Sequence, residues 1–173
     1  PDDCELSGND CNSNGTPDDC DISAGTSDDD NSNGIPDECE VLGTPYCVGA
    51  VNSTGLGASM QAFGSSVVAD NDFSLRTEQL PATVFGLHFY GPNQVQIAFG
   101  DGFRCVGGAT QRVQPATQAD PTGVMDRAVN LTVPALSNIV PTSTWNFQLW
   151  YRDPMGPGGS GFNLSNGVEV TFQ

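Results

Sequence analysis

Between Thr44 and Gln173, apolar and polar residues alternate in short runs, the two-residue period of a half-buried strand. The run "VFGLHFY" sets Phe85, Leu87 and Phe89 on one face, and "NQVQIAF" sets Val95, Ile97 and Phe99 inward with Gln94 and Gln96 outward. In "TWNFQLWYRD", Trp145, Phe147, Leu149 and Tyr151 alternate with Asn146, Gln148, Trp150 and Arg152, and "VEVTFQ" turns Val168, Val170 and Phe172 inward. Further strands are predicted at "ASMQAFG", "FSLRTEQL", "TQRVQPA" and "RAVNLTV", with turns such as "YGPN", "FGDG" and "MGPGGSG" between them. No stretch holds a helical period. Short strands separated by glycine-rich turns predict a mainly β fold, an antiparallel β-sandwich of jelly-roll type over residues 44–173. A segment of that length can bury a core of its own.

Residues 1–43 follow a different rule, one of ligand spacing. In "DCNSNGTPDDCD", Asp10, Asn12, Asn14, Gly15, Thr16, Asp18 and Asp21 fall at positions 1, 3, 5, 6, 7, 9 and 12. In "DDNSNGIPDECE", Asp29, Asn31, Asn33, Gly34, Ile35, Asp37 and Glu40 repeat that register. This is the EF-hand calcium loop, in which side-chain oxygens at 1, 3, 5, often 9 and 12, with the carbonyl at 7, surround a hard cation and glycine at 6 allows the sharp turn. The opening "PDDCE" aligns with positions 8 to 12, making Asp2 and Glu5 the tail of a third copy. A start inside a repeat, without an initiator Met, signal peptide or membrane-spanning run, predicts a processed or truncated piece.

With Asp or Asn at 1, 3 and 5, Gly at 6, Asp at 9 and Cys before the closing acid, residues 1–40 resemble thrombospondin type 3 repeats and, more distantly, the paired calcium loops of dockerins. The resemblance implies Ca2+ as cofactor and a secreted or cell-surface location. Two departures separate the chain from dockerins. "ISAGTS" and "VLGTPY" are too short or broken for the amphipathic helices that meet a cohesin, and Pro17 and Pro36 at position 8 favour a compact turn over a helix beginning inside the loop. A calcium-stiffened stalk is therefore expected. Each loop offers three carboxylates and two amides, for which an affinity of roughly 10⁻⁴ to 10⁻³ M is expected, as in extracellular modules. Glu40 reaches further than Asp21 as a bidentate ligand, so the second loop should bind more tightly.

Charge sharpens the division. Of 21 acidic residues, 13 lie in residues 1–40 with no basic residue among them, and the five basic residues, all arginines, come later. A net charge of −16 without clustered cations argues against a nucleic-acid partner. Without calcium, so acidic a segment should be disordered.

Six cysteines in such a chain favour disulfides and an oxidising compartment over zinc, since no CxxC or paired histidine occurs. Cys47 and Cys105 lie beyond the repeats and would pair across the second domain. Cys4, Cys11, Cys20 and Cys39 allow three connectivities, of which Cys4 with Cys11 and Cys20 with Cys39 ties the repeats in series. Sequons at Asn52, Asn130 and Asn163 fit surface loops.

Enzymatic chemistry finds little support. Ser160 in "GGSGF" lacks the closing glycine of a nucleophile elbow, and the acids of the second domain lie mostly near turns or on outward faces. Trp150, Tyr90 and His88 share the non-core side of their strands and are the candidates for stacking on sugar rings. The sequence thus points to a non-enzymatic, calcium-binding surface or fibre subunit forming a homo-oligomer or polymer. The alternative is a polysaccharide-binding module on a calcium-stiffened linker, and both are distinguished from any membrane-spanning protein.

Overall fold

The computed structural model describes residues 9–12, 14–29 and 34–173. The expectations for Asp2, Cys4, Glu5, Asn31 and Asn33 fall outside the described residues. Helix α1 spans Asp18–Ala24 and a 3-10 turn spans Asp37–Cys39, after which the chain is mainly β. The strands are β1 (Val41–Leu42), β2 (Thr44–Tyr46), β3 (Ser59–Gly64), β4 (Phe73–Glu78), β5 (Phe85–Gly91) and β6 (Asn93–Phe99), followed by β7 (Gly102–Gly107), β8 (Gln111–Arg112), β9 (Thr117–Gln118), β10 (Met125–Ala128), β11 (Thr144–Asp153) and β12 (Gly161–Thr171).

One sheet runs β1-β3-β4-β10, a second runs β2-β12-β11-β5-β8 with β9 also on β5, and β6 pairs with β7 as a separate ribbon. Every pairing between strands is antiparallel. Met60, Ala62, Phe73, Leu75 and Met125 from the first sheet share one core with Tyr90, Phe147, Leu149, Tyr151, Val168, Val170 and Phe172 from the second. At its centre the Phe73 ring is 5.2 Å from both Phe147 and Phe172. Offset and edge contacts at such separations add to the burial of aromatic area.

The alternation in β11 and β12 predicts this core correctly, whereas β5 and β6 depart from it. Phe85 is 52% exposed, while Gly86, His88 and Tyr90 face the core. "VFGLHFY" is apolar on both parities, so its pattern cannot choose a face, and pairing with β11 does: His88 lies opposite Leu149 and Tyr90 opposite Phe147. Ile97 and Phe99 on β6 are exposed, because β6 joins the ribbon folded over the outer face of the larger sheet.

That ribbon explains why Gln148, a residue of the polar parity, is fully buried. Its amide nitrogen donates to Phe103 O (2.8 Å) and Ser165 O (2.7 Å), and its amide oxygen accepts from Cys105 N (2.8 Å). The side chain thereby joins β7 to β11 and β12 with its polar atoms satisfied. The expected Cys47–Cys105 disulfide fastens the same ribbon, and Tyr46 Oη donates to Cys105 O at 3.0 Å. Two of the three sequons are inside the fold: Asn52 donates to Gln79 O and Asn163 to Val51 O, leaving Asn130 exposed.

Candidate metal loops and ligand cleft

Both acidic loops are built by the same bonds. Gly15 (φ +90°) and Gly34 (φ +83°) occupy the left-handed region with nothing within 4 Å of an added Cβ, so conformation rather than space selects glycine. The carboxylate at position 1 accepts the amide of that glycine, Asp10 from Gly15 at 3.0 Å and Asp29 from Gly34 at 2.9 Å. The prolines at position 8 are buried, as are Asp18 and Asp37 at position 9. The amides of these two aspartates donate to the carbonyl just ahead of each loop, Asp18 to Asn9 at 2.7 Å and Asp37 to Asp28 at 2.9 Å. A helical turn begins at position 9 in each copy.

For the first loop this corrects the expectation that Pro17 favours a compact turn over a helix beginning inside the loop, whereas Pro36 does lead into a compact three-residue turn. Pro17 precedes α1 with φ −61°, already suited to the start of a helix, where an amide would lack a partner anyway. Asp18, Asp19 and Asp21 lie in the first turn, where the helix end favours negative charge.

In the first loop backbone amides hold the asparagine oxygens. Asn12 Oδ1 accepts from Asn14 N at 3.0 Å, and Asn14 Oδ1 accepts from Thr16 N at 2.7 Å. Asn14 Nδ2 donates to Asp21 Oδ2 at 2.7 Å, bringing positions 5 and 12 together across the loop. The Thr26 hydroxyl, ahead of Asn14 and Asn12, holds the Asp21 carboxyl below the usual carboxylate range against the opposing effect of burial. Asp18 alone turns aside, accepting Cys11 N at 3.0 Å. Position 9 commonly acts through water in such loops, so the donor set of Asp10, Asn12, Asn14, the Thr16 carbonyl and Asp21 fits a hard cation that takes only oxygen. In the second loop Asp29, Ile35, Asp37 and Glu40 hold the corresponding places.

The copies are joined side by side. Cys11 and Cys39 form a disulfide with Cα atoms 5.9 Å apart, overturning the expected Cys4–Cys11 and Cys20–Cys39 pairs. Cys20 is disulfide-bonded too. The reason is lateral packing of the loops, which places the start of one against the end of the other. Glu38, overlooked in the ligand pattern, also bridges them, accepting from Asn12 Nδ2 (2.9 Å) and Ser27 Oγ (2.6 Å). Burial pushes the Glu38 carboxyl up, but the Ser27 and Asn12 bonds outweigh it and leave it below its ordinary value. Cys11, Asp18 and Cys39 come close enough to suggest a metal cluster, yet the two sulfurs are consumed by their bond.

The candidate sugar-binding residues separate. His88 and Tyr90 are buried in the core and cannot face a ligand, because β5 takes the opposite register. Tyr90 Oη donates to Ala135 O at 2.9 Å. Trp150 does lie on the outer face, half-buried in a cleft of about 890 Å³ under the ribbon, with Leu87, Phe89, Phe99, Arg104 and Arg112 among the lining. The Phe162 ring is 5.7 Å from Trp150 and 5.2 Å from Phe99. The Arg104 Nε is buried without a hydrogen-bond partner.

No family model matches the chain, and no curated protein or solved structure matches it either. Among the described residues no helix is long and apolar enough to cross a membrane.

Proposed function

We propose that this chain is an extracellular structural protein, a surface or fibre subunit with a β-sandwich, whose acidic arm is ordered by Ca2+ and contacts a neighbouring copy. The observation that carries the reading is the duplicated loop: two segments of different sequence make the same carboxylate-to-glycine bond and start a helical turn at the same position. The Cys11–Cys39 and Cys47–Cys105 disulfides fit an oxidising compartment. Calcium offsets the repulsion among the arm's carboxylates and binds by oxygen alone. The thrombospondin-type resemblance points the same way.

The test is a calcium titration of the chelated full chain, followed by calorimetry and light scattering. Binding accompanied by growth in size is expected. Binding without growth would remove assembly, and failure of the arm to bind would remove the reading. A second reading, a module for acidic polysaccharide, is favoured by the cleft that sets Trp150, Phe89 and Phe99 beside Arg104 and Arg112 in an otherwise anionic protein. A monomer retained on an immobilised uronic-acid polysaccharide would favour it over the polymer.

A further inference from the structure

Asp101 and Asp153 meet at one end of the β domain. Asp101 is in the turn between β6 and β7, and its carboxylate accepts Ser160 N at 2.9 Å and Gly158 N at 3.1 Å. These bonds, the Ser160 contacts foremost, hold its carboxyl below the usual range. Asp153 ends β11 and is 0% exposed. One of its oxygens, Oδ2, accepts Ser53 N at 3.0 Å, while Oδ1 is buried with no partner.

The two carboxylates close on the same glycine. A Cβ on Gly156 would lie 2.4 Å from Asp101 Oδ2 and 2.8 Å from Asp153 Oδ2, and a Cβ on Gly158 would lie 2.5 Å from Asp101 Oδ1. A side chain at either position would have to displace these carboxylates. The two Oδ2 atoms are thus no further apart than the sum of the first two distances, within the span of a single ion with Ca–O bonds of about 2.3–2.6 Å. Among the described residues the ion pairs involve Arg76 and leave both aspartates without a cationic side chain. An enclosed carboxylate with an orphaned oxygen is costly, and a second carboxylate beside it adds repulsion.

We propose that Asp101 and Asp153 bind a divalent cation, Ca2+ by its preference for oxygen, at a site separate from the acidic arm. Such an ion satisfies Asp153 Oδ1, neutralises the pair and locks the β6–β7 ribbon to the β11–β12 connection. It stands on different residues from the arm loops, so either site can fail without the other.

Tyr151 provides the probe. It lies two residues before Asp153, and burial first, then the Asp153 and Asp101 charges, raise its hydroxyl pKa. Residues 1–43 contain no aromatic residue. Terbium added to the chelated full chain should emit on excitation of tyrosine from this site, any share from the arm being removed in the chain carrying Asp10→Asn with Asp29→Asn, and calcium should quench the emission by displacement. Asp153→Asn and Asp101→Asn should each weaken that signal's terbium affinity by about tenfold or more, since even outer-shell partners cost that much. Asp10→Asn with Asp29→Asn should leave it intact. Equilibrium dialysis should show less calcium bound by Asp101→Asn with Asp153→Asn than by the parent chain. Should Asp153→Asn fail to fold, Asp101→Asn carries the test, because asparagine retains an oxygen for the Ser160 amide. Absence of tyrosine-sensitised emission in the parent chain, or emission and bound calcium unchanged in Asp101→Asn, would overturn the site.

Discussion

His88 is 1% exposed, and burial, aided by the Arg127 charge, drives its pKa down to about 3 from 6.5. The unfolded chain takes up a proton near pH 6.5 that the folded chain refuses until about pH 3. Stability from this residue is therefore complete above pH 6.5 and is lost as pH falls through that window. By pH 5 the loss is about 2 kcal/mol at roughly 1.4 kcal/mol per pH unit. Replacing His88→Leu should remove that difference between pH 7 and pH 5 in urea unfolding performed with chelator. An unchanged difference would place the acid sensitivity elsewhere. The depressed carboxyls of Asp21 and Asp101 move stability with the same sign, but their window opens only below about pH 4. The burial of His88 was hidden in the sequence because Phe85, Leu87 and Phe89 offer an equally apolar alternative face, whereas "TWNFQLWYRD" has one parity rich in large apolar residues and was legible.

At the scale of elements, glycine at position 6 makes each acidic loop possible. Gly15→Ala forces a Cβ into the left-handed region, a strain of about 1–2 kcal/mol. Since no neighbour lies within 4 Å of that Cβ, the backbone conformation alone accounts for the effect. Calcium affinity of the first loop should fall by roughly five- to thirtyfold, at about 1.4 kcal/mol per factor of ten. Calorimetry comparing Gly15→Ala with the parent chain measures it, and equal affinities would separate the loop's geometry from its binding. The repeat of the two loops was readable because the acid at position 1 and the glycine at position 6 recur at fixed spacing, and each pair makes the same bond. The helical turn of α1 was not, since the same proline that breaks a helix interior is tolerated immediately ahead of one, where Pro17 and Pro36 stand. Disulfide pairing was likewise undetermined, depending on loops packed side by side rather than on their order.

For the whole molecule, the decisive quantity is the 13 acidic residues within residues 1–40. In chelator these repel over a Debye length of about 10 Å at 0.1 M salt. Calcium should compact the chelated protein, seen as a smaller radius in small-angle scattering of dilute, unassembled chains. Sodium chloride at matched ionic strength should achieve far less, because it screens charge without filling a site. Equal compaction by the two salts would reduce the arm to a screened polyelectrolyte. The influence of the arm reaches the β domain: burial foremost, then Glu38, Asp37 and Asp28, raise the pKa of Asp72 beside the smaller sheet. That contact was outside the reach of sequence reading, which places the arm and the domain in succession but not against each other.

The bond between Cys11 and Cys39 has a mechanical consequence. Tension reaching Cys11 passes from one sulfur to the other and on to β1, which is paired with β3, so residues 12–38 cannot be drawn out between Cys11 and Cys39. The 28-residue separation would otherwise add roughly 95 Å of extensible contour at about 3.4 Å per residue. The bridge withholds that length, so neither acidic loop can be drawn out between the two cysteines. A tether made this way can be pulled taut while its loops keep their shape.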